Sequence, residues 1–268
     1  MNKNTYLVLH DFTPVGEAAL NYAMNLSTHL NNEIKLVHLV DSKSKVDEAE
    51  SKLKKIISET PSSDNTVIVP LVRVGNIFED IALIIEEEKV NLIIMGTHGP
   101  KGMQKIFGSF AMKVITSSDV PFFVIQKDTE VKSVKRILVP IDLEKESLQI
   151  VNVAGDLANM YKADIFLIAE QQDDEILSRK IKNRVLIVKK QYEERGVNCT
   201  VELINESGSY HSKIMNYCKE KEIDLVAIAY HTASILPQFD TFAQKLITNE
   251  AMLPCVILNS KASSSFFF

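Results

Sequence analysis

Four of the chain's nine glycines fall within thirteen residues: Gly96, Gly99, Gly102 and Gly108, the last followed by Ser109. They lie behind an apolar run and ahead of a helical one. Glycine lets backbone approach a ligand closely, and a helix N-terminus offers unpaired N–H groups to an anion. Such a loop can hold phosphate, although it matches neither the G-x-x-x-x-G-K-[ST] nor the G-x-G-x-x-G pattern. Read from the residues alone, glycines that merely turn a surface loop explain the cluster equally well. Asp11 closes an earlier apolar run and either meets a ligand or caps the following helix. Ser109, His98 and Asp11 could make a hydrolytic triad, but no G-x-S-x-G elbow is present and an N-cap role explains Ser109 better. His98 and His231 recur at matching places, which points to a structural role. His10 and Asp11 have no partner at metal-ligand spacing, and Cys199, Cys218 and Cys255 read as reduced thiols. No catalytic residue and no metal ligand is therefore expected.

The elements that position these residues come in two sets. Tyr6–Asp11 lies over Ile137–Asp142, Asn91–His98 over Asp224–His231, Ser109–Thr116 over Thr241–Thr248, and Val120–Ile125 over Leu253–Leu258, at offsets of 131 to 133. Small drifts in offset are loop insertions within a duplicated domain. Two domains are expected, 1–131 and 132–268. In the first, Tyr6–His10, Ile34–Val40, Thr66–Arg73, Leu92–Met95 and Phe122–Ile125 read as strands. The stretches Val15–His29, Val46–Glu59, Ile77–Lys89 and Phe110–Ser117 read as helices, with Thr13-Pro14, Asn76 and Ser109 opening three of them. In the second, Ile137–Ile141, Ile165–Ala169, Thr200–Ile204, Leu225–Ala229 and Val256–Leu258 read as strands. Apolar strands alternating with helices imply an α/β fold with parallel sheets covered on both faces. In such sheets a ligand binds beyond the strands' carboxyl ends, where strand order reverses.

The glycine loop, together with Asp11, Leu36–Val40 and Val74-Gly75-Asn76, resembles the nucleotide-binding signature of the universal stress proteins. The resemblance covers nearly the whole chain, as a tandem of two such domains. It implies Rossmann-like domains with five-stranded sheets in the order 3-2-1-4-5, and binding of ATP without vigorous turnover. It further implies that Asp11 and the Leu39 backbone contact adenine. Gly96, Gly99, Gly108 and Ser109 would hold ribose and phosphates, the Phe110 N–H would face phosphate, and Mg2+ would travel on the phosphates. Two departures stand out: eight residues rather than nine separate Gly99 from Gly108, and Phe110 is bulkier than usual. In the second half Ala229, Thr232 and Asp240 replace Gly96, Gly99 and Gly108. A negative side chain there disfavours triphosphate, so that half is expected to be nucleotide-free.

The implied function is an adenine-nucleotide-binding protein of stress response or signalling that acts through a protein partner. The alternative is a nucleotide-independent interaction scaffold. At most weak ATPase activity is expected, since the glycine loop offers no Asp or Glu as a general base. Lys plus Arg number 30 against 35 Asp plus Glu, a net charge of −5, which argues against a nucleic-acid binder. No apolar run is long enough to span a membrane, and no secretion signal is visible, so a cytoplasmic protein is expected. The resemblance also implies an internal pseudo-dimer through the two fifth strands, and allows a further homodimer. Ser178–Arg184 is the most basic stretch and reads as an exposed helical stripe. The Phe266–Phe268 tail reads as a frayed terminus.

Overall fold

A computed structural model describes residues 4–28, 30–61, 65–97, 107–230 and 241–260, with backbone alone at 107–110 and 241. The first unit runs β1 (Asn4–Leu9), α1 (Pro14–Ser27), β2 (Asn32–Val40), α2 (Val46–Glu59), β3 (Thr66–Val74), α3 (Ile77–Glu87), β4 (Leu92–Thr97), α4 (Phe107–Ile115) and β5 (Phe122–Gln126). The second repeats this as β6 (Arg136–Ile141), α5 (Ile150–Tyr161), β7 (Asp164–Glu170), α6 (Glu175–Glu194), β8 (Cys199–Ile204), α7 (Tyr210–Glu220), β9 (Leu225–Tyr230), α8 (Thr241–Ile247) and β10 (Cys255–Asn259). Strand order is β3-β2-β1-β4-β5 in the first and β8-β7-β6-β9-β10 in the second, with parallel pairing in each. This is the expected fold class. Compact packing assigns Met1–Lys132 and Ile247–Met252 to the first unit, and Ser133–Leu246 and Leu253–Phe268 to the second.

Why these residues form these elements is visible at their ends. Thr13 is extended and its hydroxyl accepts the Val15 N–H at 3.3 Å, while Pro14 sits in the first turn, where no N–H is needed. Asn76 caps α3 by accepting from the N–H groups of Phe78 and Glu79 at 3.0 and 3.2 Å. One expected cap is corrected. The fourth helix begins at Phe107, so Ser109 lies inside its first turn and does not cap it. Central strands read as unbroken apolar runs because helices cover both faces. Leu7, Val8, Ile93 and Ile94 are fully buried in one unit, and Ile137, Leu138, Leu225 and Val226 in the other.

A clamp recurs in both copies. The Asn91 side-chain oxygen accepts the Thr5 N–H at 2.9 Å, and the Asn91 backbone N–H donates to the Thr5 carbonyl at 2.9 Å. Asp224 holds the matching place: its carboxylate accepts the N–H groups of Lys135 and Arg136 at 2.9 and 3.0 Å. These side chains fix where the central strand of each sheet starts, and hence where it stops. Asp224→Ala leaves two part-buried N–H groups without their acceptor, at about 1–3 kcal/mol each. Urea unfolding is expected to show a loss of roughly 2–4 kcal/mol; a loss below about 0.5 kcal/mol would remove the clamp from this account.

Candidate functional site

Strand β1 is shorter than the strand beside it. Its pairing with β2 ends at Leu9↔Val37, yet β2 continues to Val40. Backbone groups alternate sides along a strand, and two contacts fix the alternation here. The Val37 carbonyl accepts from His10 N–H on the β1 side at 2.9 Å, and the Val40 carbonyl accepts from Gly75 N–H on the β3 side at 2.8 Å. The Leu39 N–H and C=O therefore both point to the β1 side, above the place where β1 has ended. Neither has a hydrogen-bond partner among the described residues. One backbone donor and one backbone acceptor of a single residue thus face the point where strand order reverses.

A cleft of about 330 Å³ opens there, lined at its base by Leu9, Val37, Leu39, Met95, Gly96 and Ile77. Its described ionisable lining groups are His10, Asp11 and His38; none is Lys or Arg. Asp11 is exposed at the rim. Its Oδ1 accepts both the N–H and the hydroxyl of Thr13, at 3.1 and 2.6 Å. The carboxylate thus shapes the start of α1 through one oxygen, and the other makes no hydrogen bond among the described residues. Gly96 serves packing as well as the cleft. A Cβ there would lie 2.4 Å from both the Val15 side chain and the Val15 carbonyl, so α1 sits on β4 only because this side chain is missing.

The turn after β1 is held by two histidines. His10 is 3 % exposed, and its Nδ1 accepts the Phe12 N–H at 3.1 Å, which places its proton on Nε2. That Nε2 is buried with no partner among the described residues. The His38 Nδ1 donates to the His10 carbonyl at 2.7 Å, and the Phe12 ring packs 4.1 Å from the His38 ring. Phe12 adopts φ +61°, a left-handed conformation uncommon for a bulky residue, so these contacts hold a strained turn. Burial pushes the His10 imidazole below its ordinary 6.5, while the charges of Asp11 and Glu17 oppose the shift.

The second unit holds the matching cleft, about 300 Å³, lined by Asp142, Glu144, Glu170, Gln172, Ile181 and Tyr210 among others. Glu170 lies level with Asp142 as Leu39 lies level with Asp11. Its carbonyl already accepts from the Gln172 side chain at 3.1 Å. The Arg184 guanidinium reaches in from α6 to the carbonyls of Asp142 and Glu144 at 2.6 and 2.7 Å. Tyr210 replaces Ile77, its hydroxyl donating to the Ile141 carbonyl at 3.4 Å and its ring stacking on Phe242. In this unit a side chain of the chain itself takes the carbonyl that matches the open Leu39 carbonyl of the first.

The structure thus brings Asp11, Leu39 and Gly96 to one cleft. Gly99, His98, His231, Thr232, Asp240 and Phe266–Phe268 lie outside the described residues, and Gly108, Ser109 and Phe110 are described only as backbone within α4. Sequence reading missed His10 as the buried support of the turn, and Gln172, Arg184 and Tyr210 as occupants of the second cleft. The 133-residue offset that pairs Ile77 with Tyr210 was the available signal for the last of these. The cysteines are quiet: burial pushes the Cys199 and Cys218 thiols up to about 12, and that of Cys255 up as well. Among the described residues no cluster of three metal-ligating side chains occurs, and no helix is long and apolar enough to cross a membrane.

A profile of the universal stress protein family matches residues 4–126 and 133–247. The chain belongs to the universal stress protein family. A universal stress protein from Methanocaldococcus jannaschii is 26% identical over 147 residues, spanning 44% of this chain and 91% of that protein. Two solved structures share the tandem architecture. A universal stress protein from Archaeoglobus fulgidus covers 97% of this chain over all of its own length, at 17% identity and a TM-score of 0.72. A functionally unknown protein from Pseudomonas aeruginosa covers 98% of this chain over 95% of its own, at 15% identity and a TM-score of 0.67. Against that family frame, the two copies here differ in whether the peptide beside the end of the central strand is open or used.

Two outcomes test the site's construction. Gly96→Ala must push the α1 backbone off β4, a cost of about 1–3 kcal/mol by overpacking, to be read from thermal or urea unfolding. Wild-type stability with that substitution would contradict the close approach. His10 favours its neutral form when folded, so its folded pKa lies below the 6.5 of the unfolded chain. The unfolded state therefore takes up the proton first as pH falls. The His10 contribution is full above 6.5 and is lost as pH drops through the folded pKa. His10→Asn is expected to flatten the stability–pH curve in that window; an unchanged slope would exclude His10 as its source.

Proposed function

We propose that the first unit binds an adenine nucleotide and the second does not. The observation that carries this reading is the unpaired Leu39 peptide at the head of the cleft. Adenine presents N1 as an acceptor beside its 6-amino donor, which complements the N–H and the C=O of the one residue, Leu39. Leu9, Val37, Met95 and Ile77 supply an apolar slot for the base. Asp11 stands at the rim with an oxygen to spare for the base, as the resemblance implies.

Gly96, Gly99, Gly108, Ser109 and the Phe110 N–H would then take ribose and phosphates, with ATP as the ligand. No described lining residue is cationic, so Mg2+ carried on the phosphates would meet their charge. The described lining also offers no carboxylate other than Asp11, which is consistent with binding rather than hydrolysis. Binding would favour one arrangement of the glycine loop and so set the affinity for a protein partner in stress response or signalling. The fifth strands pairing within the chain remain part of this proposal, from the resemblance alone.

Calorimetric titration of the whole chain with ATP and ITP, each with Mg2+, tests it. One site is expected. ATP should bind at least about tenfold tighter than ITP, because 6-oxo purine reverses both base contacts and leaves the peptide unpaired. Two sites, equal affinity for both nucleotides, or no heat with either would reject the reading.

A further inference from the structure

The basic stretch within α6 has no part in the first cleft and carries an unusual outer face. Ile176, Leu186 and Ile187 are 76 %, 60 % and 69 % exposed, on a helix whose inner face is already buried through Ile181, Val185, Val188 and Tyr192. From Ile176 to Tyr192 the helix has no acidic residue, and Lys180 and Lys182 make no ion pair among the described residues. Lys182 and Lys190 flank Leu186 at four residues on either side, which puts all three on one stripe; Lys190 also lies 3.7 Å from Glu194 in an exposed, solvent-screened pair.

The reverse pattern exists on α3. Leu83 is 57 % exposed, flanked by exposed Glu79 and Glu86 at four and three residues, and the helix has no basic residue. Its other acids are engaged: Asp80 accepts the Asn76 N–H at 2.7 Å, and Glu87 pairs with Arg73 at 2.7 Å. Glu79 and Glu86 have no ion-pair partner among the described residues. Acid–apolar–acid on α3, at spacings of four and three residues, thus mirrors base–apolar–base on α6, at four and four, each on one helical stripe. An aliphatic row between the cations suits another helix face better than a phosphate backbone, which offers nothing for Leu186 and Ile187 to bury against.

We propose that the outer face of α6 docks on the outer face of α3 of a second copy of this chain. Leu186 and Ile187 pack against Leu83, with Lys182 and Lys190 against Glu86 and Glu79. This contact is independent of the nucleotide reading. Sedimentation velocity of the full chain over a range of concentrations tests it. Reversible self-association is expected, weakening as salt rises because the flanking pairs are solvent-exposed. Lys182→Glu with Lys190→Glu should weaken it at least about tenfold, and Glu79→Lys with Glu86→Lys should do the same. Combining all four should restore it. These positions are exposed, and circular dichroism of each variant checks that the fold survives. A wild type that stays monomeric, reversals without effect, or a four-fold variant that fails to recover would each overturn the proposal.

Discussion

The cleft depends on where one strand stops. In a parallel sheet each strand's backbone is normally used on both sides, so a peptide left open beside the sheet's centre needs a cause. Here the cause is the turn at Asp11-Phe12-Thr13. Phe12 takes a left-handed conformation, the Thr13 N–H and hydroxyl turn to Asp11, and the Phe12 N–H turns to His10. The chain thereby leaves the sheet before it can pair with Leu39. The His38 imidazole takes the His10 carbonyl, the other group that would have continued the ladder. The Phe12 and Thr13 N–H groups and the His10 carbonyl are thus satisfied within the turn and by His38, while Nε2 of His10 is buried without a partner among the described residues.

The duplicated unit shows how one fold can carry two differently lined clefts. Both copies share sheet order, the clamp at Asn91 or Asp224, and an aspartate after the central strand. They part at side chains on the surrounding elements. Gln172 covers the carbonyl of Glu170, Arg184 bridges two more carbonyls, and Tyr210 stacks where Ile77 leaves space. A ligand there would have to displace the Gln172 side chain from the Glu170 carbonyl, and the Glu170 carboxylate is itself paired with Lys213. The second copy shares the architecture and differs in which backbone groups its own side chains occupy.

The strands and most helices were legible because apolar runs and caps are local signals. Thr13-Pro14 and Asn76 sit where short-range hydrogen bonding puts them. Ser109 misled because a serine before an apolar run imitates a cap, whereas α4 starts at Phe107. The site was legible in part. Leu39 entered through family resemblance, and its reason, strand alternation against a shortened neighbour, needs the register of two strands 28 residues apart. Gly96 was assigned to the ligand, while its closest constraint is the α1 backbone, a tertiary contact that no spacing discloses. Arg184 was noted only as part of a basic stripe, because its reach to Asp142 crosses 42 residues of sequence.

The central claim is that an open peptide at Leu39, closed at Glu170, makes one copy a nucleotide site. Backbone amide NMR of the full chain during titration with Mg-ATP addresses it at the two atoms concerned. The account expects the Leu39 amide resonance to move downfield and become protected from hydrogen exchange, with the Glu170 amide unchanged. An unperturbed Leu39 amide at saturating nucleotide, or equal movement at both positions, would contradict it.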